Sequence, residues 1–249
     1  MKIAVCSLFR DNQIWKGRLI NQVDKFFRQI NGQQLEHPIH IFALEGNSQD
    51  DTYQELEKRE KLKTAFSNFT LLKYDFEKEH KVESTDDQNR IKNLSFCGNK
   101  LLAEASNYDY VFWIESDILI YNDYLIERLL FSMKNTDGIG VVAPTIWLDT
   151  HRGTFYDVWG FQTLDREHWT NNPPYSHDYG LPGRLLEVNS VGSCCLIDGS
   201  LLRKDMNFGE GGIPELCKQA REEGSKIYVD RTLKVFHPSS FGYVENRWI

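Results

Sequence analysis

No CxxC pair and no Cys/His cluster with zinc-ligand spacing occurs in these 249 residues, so a structural zinc site is not expected. Cysteine is scarce: Cys6, Cys97, Cys194, Cys195 and Cys217, scattered except for one adjacent pair. An odd, unpatterned set excludes the disulfide framework of a small secreted scaffold and points to a reducing compartment. No apolar run approaches the ~20 residues of a membrane helix. The apolar start, Met1 to Phe9, is too short for a signal peptide and is closed by Arg10-Asp11-Asn12. A soluble, cytoplasmic protein is therefore expected. Basic charge is not in excess either, with 29 Lys and Arg against 36 Asp and Glu and a formal charge of -7. Bulk binding to nucleic acid asks for the opposite balance. Repeats, low-complexity tracts and linkers are absent, and 41% hydrophobic with 26% charged residues excludes a coiled coil, a collagen-like rod or a disordered chain. The length fits one large domain.

What is present alternates between strand and helix patterns. Apolar runs at Lys2–Leu8, Ile39–Leu44, Phe69–Tyr74 and Tyr110–Ile114 read as buried strands. Between them lie helical patterns at Ile14–Ile30, Thr52–Phe66 and Ile91–Ala105, with a polar surface loop at Lys78–Asn89. A helix at Asp123–Met133, a strand at Ile139–Ala143, strands at Leu185–Val188 and Cys194–Ile197, a helix near Gly212–Glu223 and a strand at Lys226–Val229 follow. This alternation predicts an α/β fold with a mostly parallel central sheet and helices on both faces. Thr145–Gly183 is different: irregular, and rich in Trp, Tyr, His, Asn, Pro and Gly. A long aperiodic stretch dense in aromatics reads as functional rather than disordered.

In an open parallel sheet, ligands bind outside the carboxyl ends of the strands. The residues there are Arg10 and Asp11, Glu45, Asp75, and Glu115-Ser116-Asp117. The last group places two carboxylates directly after the most apolar strand. A hard divalent cation takes one or two carboxylates together with phosphate oxygens from its substrate. The plainer alternative is that Glu115 caps the next helix or pairs with Arg128. Asp198, beside Gly199, reads as a helix cap.

The stretch Tyr108-Asp109-Tyr110-Val111-Phe112-Trp113-Ile114-Glu115-Ser116-Asp117-Ile118 resembles the DxD segment of GT-A glycosyltransferases. It is most similar to the fungal mannan-polymerase type of mannosyltransferase. Asn99-Lys100-Leu101-Leu102 resembles that family's "RNYLL" helix, with Gly98 in place of the Arg. Val191-Gly192-Ser193-Cys194-Cys195-Leu196-Ile197 resembles its Gly-rich strand. Phe208-Gly209-Glu210-Gly211-Gly212-Ile213-Pro214-Glu215 resembles its acidic helix start, and Lys234-Val235-Phe236-His237-Pro238 its C-terminal "VxH" segment. The first carboxylate of the motif is Glu here, and the aromatic middle segment has no counterpart.

The resemblance implies a single GT-A catalytic domain over 1–249, with a nucleotide-sugar-binding half (1–117) and an acceptor-binding half (118–249). It implies Mn²⁺ or Mg²⁺ held by Asp117 and His237, with Glu115 on the metal or the donor's ribose. The donor would be a nucleotide-diphosphate-sugar, contacted by Ser7, Arg10, Asp11, Glu45, Asp75, Asn99 and Lys100, with Lys100 or Arg90 adding positive charge; ordinary solvated loop and surface residues are the alternative for these. Glu210 and Glu215 are the candidates for the catalytic carboxylates, and a plain role at a helix N-terminus is an equal alternative for Glu215. Trp147, Tyr156, Trp159, Phe161, Trp169 and Tyr175 cover the acceptor, a glycan or other hydroxyl compound, with a hydroxylated DNA base among the candidates. The family's Golgi members carry a membrane anchor, so the expectation here is a bacterial or viral enzyme. The competing readings are a nucleotidyltransferase, which would want a Gly-rich phosphate loop after the first strand, and a nucleotide-sugar-binding protein without turnover. An NAD enzyme is disfavoured because no GxGxxG follows the first strand.

Overall fold

The computed structural model describes residues 1–15, 18–61, 67–76, 88–149, 154–173 and 183–238. Its elements are β1 (Ile3–Phe9), β2 (Ile14–Trp15), β3 (Arg18–Leu19), α1 (Gln22–Asn31), β4 (Ile39–Glu45), α2 (Thr52–Lys61), β5 (Ser67–Lys73), α3 (Gln88–Ala105), β6 (Tyr110–Ile114) and α4 (Leu125–Lys134). Then come β7 (Ile139–Leu148), β8 (Leu185–Val188), β9 (Cys194–Asp198), α5 (Gly199–Leu202), α6 (Ile213–Glu222) and β10 (Lys226–His237). One eight-stranded sheet in the order β5-β4-β1-β6-β9-β7-β10-β8 forms the centre. Strands β5, β4, β1 and β6 are mutually parallel, β9 is antiparallel to both β6 and β7, β10 is parallel to β7, and β8 is antiparallel to β10. Only β8 and β9 therefore run against the rest, and the carboxyl ends of the other strands share one edge.

Helices cover both faces, as alternating side chains require. On one face Phe9 of β1 meets Phe26 of α1 edge-on at 5.0 Å, and Phe69 of β5 meets Phe27 at the same distance. On the other, the Cys6 thiol donates to the Leu101 carbonyl of α3. Burial of Val23, Phe26, Phe27 and Ile30 gives α1 its amphipathic register. All five cysteines are buried and free. No helix among the described residues is long and apolar enough to cross a membrane.

Three expected elements differ. The pattern at 14–30 is not one helix: β2 and β3 pair as a short hairpin, closed by Ile20 N–H to Gln13 O (2.7 Å) and Gln22 N–H to Asn12 O (3.0 Å). Asn21 then takes a left-handed turn, φ 50°, before α1 begins, a conformation Asn tolerates better than most residues. Strand β7 continues through Pro144 to Leu148, because Pro144 lies beside a register shift of β10 between Asp230 and Lys234, where a missing N–H costs no ladder bond. β10 likewise reaches His237. Asp198 caps α5 as expected, accepting from Ser200 N–H at 2.7 Å. Most of the loop expected at Lys78–Asn89 lies outside the described residues, as does the end of the helix expected at Thr52–Phe66, while Asn89 belongs to α3.

Candidate active site

The site forms where the extended ends of β7 and β10 meet the turn after β6. Ile118 N–H donates to Glu115 O at 3.1 Å, so the chain turns immediately after the strand. Leu119 and Phe236 then exchange both backbone hydrogen bonds, 2.7 and 3.0 Å. This pairing carries His237 to Asp117, and His237 Nε2 lies 2.9 Å from Asp117 Oδ2. The His237 ring stacks on Tyr156, centroids 3.7 Å apart and planes within 9°. Arg128 does not pair with Glu115; its guanidinium donates to Thr232 Oγ1.

Burial alone would lower the pKa of His237, but the Asp117 charge and hydrogen bond, helped by Glu115, leave it above its ordinary value. Burial would raise Asp117, but the His237 charge and hydrogen bond leave it below its ordinary value. Glu115 is pushed up to about 7, first by burial and then by the charges of Asp117 and Asp157, against the pull of His237 and Arg90. The His237 contribution to stability is thus complete below about 6.5 and is lost as pH rises through its raised folded pKa. Glu115 acts in the same sense between its ordinary value and about 7. Asp117 stabilises above about 3.9 and fails only as pH falls below that. The metal-free protein should therefore lose melting temperature as pH is raised from 5 to 8, which a thermal scan at fixed ionic strength checks. A rise over that interval would contradict the pairing.

Asp157 sits beside these groups, and sequence reading did not single it out. Its Oδ2 accepts from Ser193 N–H (2.7 Å) and Ser193 Oγ–H (2.8 Å), and its Oδ1 from Gly160 N–H (3.2 Å). Gly160 and Gly192 wall in this carboxylate: a Cβ on Gly192 would lie 1.9 Å from Asp157 Oδ2, and one on Gly160 2.6 Å from Gly192 Cα. Ser193 O in turn accepts from Glu115 N–H at 2.9 Å. The Gly-Ser turn therefore ties the aromatic segment to the acidic triplet.

The loops after β1, β4 and β5 form the other side of the rim. Gln49 N–H donates to Asp11 Oδ1 (2.7 Å), Ser48 N–H to Glu45 Oε1 (3.0 Å) and Asn47 N–H to Asp75 Oδ1 (3.1 Å). Arg10 lies 3.6 Å from Asp11. The Asn47 backbone bond holds the Asp75 carboxyl below its ordinary pKa. Among the described residues, Ser7 Oγ and Glu45 Oε2 are buried with no hydrogen-bond partner.

Other expected residues are placed elsewhere. Asn99 is a brace, accepting from Phe208 N–H at 2.7 Å. Lys100 lies over the Tyr74 and Phe96 rings at 5.2 and 4.8 Å. Gly98, one residue earlier in α3, has no room for a side chain, because its Cβ would meet Phe208 Cδ2 at 2.4 Å. Glu210 is exposed and lies 3.1 Å from Lys92 of α3, and Glu215, in the first turn of α6, lies 3.2 Å from Lys218. Among the described residues, no hydrogen bond or ion pair joins either to Glu115 or Asp117. Arg90, on α3, is close enough that its charge acts on both. In the aromatic segment, Trp147, Phe161 and Trp169 are core residues, whereas Trp159 is 40% exposed. Tyr175 lies outside the described residues.

Among the described residues, no group of three or more His, Cys, Asp or Glu could hold a metal alone. Asp117 and His237 do offer a carboxylate oxygen and an imidazole nitrogen at one point. That partial set fits a cation whose other positions are filled by phosphate oxygens.

No protein-family model and no curated protein matches the chain. Solved structures do. TarS 1–349 of S. aureus, in complex with UDP, is 14% identical, with TM-score 0.58, covering 96% of this chain and 61% of that one. The mannosyltransferase PcManGT of Pyrobaculum calidifontis, in complex with GDP-Man and Mn²⁺, is 12% identical, with TM-score 0.62, covering 97% and 58%. GalNAc-T7 with UDP, GalNAc and Mn²⁺ is 11% identical, with TM-score 0.60, covering 96% and 43%. The chain thus spans less than two thirds of each of them. These likenesses establish the GT-A fold.

Proposed function

We propose that this chain is a metal-dependent glycosyltransferase that moves a hexosyl or pentosyl unit from a nucleotide-diphosphate-sugar to a hydroxyl acceptor. One observation carries the proposal: an Asp117 carboxylate and a His237 imidazole, 120 residues apart, meet at 2.9 Å on the carboxyl edge of a GT-A sheet. Asp117 and His237 would hold Mn²⁺ or Mg²⁺, with Glu115 beside them. A divalent cation there supplies neutralisation of the charge that develops on a departing diphosphate. Arg90 adds positive charge at the same point. Asp11, Glu45 and Asp75 would face the nucleoside, their loops already fixed by hydrogen bonds to neighbouring backbone. That preorganisation lowers the entropy lost on binding. Of the two candidate bases, Glu210 is exposed and pairs with Lys92, and Glu215 pairs with Lys218. Five free, buried cysteines suit a reducing compartment such as the cytoplasm.

The acceptor would lie against Trp159. A turn presents it rigidly: Phe161 N–H donates to Asp157 O, Gly160 N–H to Asp157 Oδ1, and the His168 ring bonds Val158 O at 3.0 Å. Removing an aromatic anchor costs a binding partner about 1 kcal/mol or more. Trp159→Ala should therefore raise the acceptor KM about tenfold while leaving acceptor-independent donor hydrolysis unchanged. Equal loss of both would contradict this placement. The whole reading is tested with a panel of nucleotide-sugars, with Mn²⁺, with Mg²⁺ and with chelator. Hydrolysis of at least one donor, abolished by chelation, is expected. If no donor is bound or hydrolysed under any metal condition, the enzyme reading is wrong.

A further inference from the structure

Three glutamines of and just beyond α1 hold the backbone that carries Asp117. Gln22 Nε2 donates to Ser116 O at 2.9 Å. Gln29, two helical turns later on the same face, donates to Ile118 O at 3.3 Å and accepts from Ile120 N–H at 2.5 Å. Gln33, past the helix end, donates to Asn122 O at 3.0 Å and accepts from Ile126 N–H at 3.2 Å. The segment so held leaves the sheet after β6 and, among the described residues, has no ladder partner except at Leu119. Without the glutamines, its buried carbonyls and N–H groups would go unmet. Polar side chains here do the work of a missing strand.

The position of Asp117 in this arrangement is specific. The carbonyls on either side of it, Ser116 O and Ile118 O, are the ones taken by Gln22 and Gln29. Asn12 Nδ2 also donates to Ser116 Oγ at 3.0 Å. The next residue, Leu119, is locked to Phe236, the neighbour of His237. The direction of the Asp117 side chain, and its separation from His237, therefore depend on the α1 face. Gln33 makes bonds of the same kind, but further along the segment.

We propose that Gln22 and Gln29 are positioning residues for Asp117, setting the pair that receives the cation. The proposal rests on the metal-dependent reading above. The test is Mn²⁺ titration of the whole chain by electron paramagnetic resonance of the free ion, in the presence of UDP and, separately, of GDP. Losing a partner behind a metal ligand typically costs on the order of tenfold or more in metal affinity. Gln29→Met, similar in shape but unable to make either bond, should raise the half-saturating Mn²⁺ about tenfold, with metal-free nucleotide binding unchanged. Gln33→Met removes three bonds, to Gln29 O, Asn122 O and from Ile126 N–H, and should lower the melting temperature at least as much, yet leave the Mn²⁺ constant unmoved. Should Gln29→Met fold poorly, Gln29→Glu keeps the bond from Ile120 N–H, loses the one to Ile118 O, and should shift the Mn²⁺ constant in the same direction. A wild-type Mn²⁺ constant in the Gln29 variants, or an equal shift in Gln33→Met, would overturn the positioning role alone. Wild-type protein that takes up no Mn²⁺ with either nucleotide would overturn the functional reading as well.

Discussion

Asp117→Ala should reduce metal-dependent donor turnover about a thousandfold while leaving the fold intact. The magnitude follows from what the carboxylate would hold: Lewis-acid stabilisation of a leaving diphosphate is worth several kcal/mol, and each ~1.4 kcal/mol is tenfold in rate. The intact fold follows from the surroundings. The Asp117 carboxylate meets the His237 ring and is 38% exposed, and the turn it sits in is closed by backbone bonds that alanine preserves. His237 would lose the charge that does most to raise its pKa, so the decline of stability between pH 5 and 8 should become shallower in the variant, with the burial of Glu115 supplying what is left of it. Circular dichroism, a thermal scan and donor hydrolysis with Mn²⁺ together check this. A variant within tenfold of wild type would show that the carboxylate does not hold the cation.

Gly192→Ala should lower stability by about 3 kcal/mol or more. The reason is space. The new methyl carbon would sit 1.9 Å from Asp157 Oδ2 and 2.5 Å from its Cγ, and the carboxylate cannot retreat without abandoning Ser193 N–H, Ser193 Oγ–H and Gly160 N–H. Leaving buried donors unmet costs ~1–3 kcal/mol each. At roughly 2–4 °C per kcal/mol for a domain of this size, the melting temperature should fall by about 10 °C. Activity should fall with it, since Ser193 O anchors Glu115 N–H. Removing the carboxylate makes room for the methyl group, so Asp157→Ala with Gly192→Ala should melt above Gly192→Ala alone. Such coupling is the signature of residues in contact. A single variant melting within two or three degrees of wild type, by the same scaling, would refute the close packing.

Part of this site was legible in the sequence for a physical reason. A strand buried on both faces is a continuous apolar run, so Tyr110–Ile114 and the two carboxylates after it stand out from their neighbours. His237 came only through family resemblance, because a His at a strand end has no local signal. Asp157 was hidden inside an irregular stretch, since its partner Ser193 is 36 residues away. The glutamines were invisible for the opposite reason: polar residues on an amphipathic helix or just beyond its end read as solvent-facing, and Gln22 and Gln33 are in fact buried. Asn21 and Pro144 misled the element boundaries. In both places hydrogen bonds from distant residues outweighed the local pattern.

The most direct test is anomalous diffraction from crystals soaked with Mn²⁺ and a nucleoside diphosphate. A manganese peak bonded to the Asp117 carboxylate and the His237 imidazole, with diphosphate oxygens completing its shell, is the expected result. Nucleotide bound elsewhere, or bound at this rim with Asp117 and His237 still joined only to each other and no manganese between them, would contradict it.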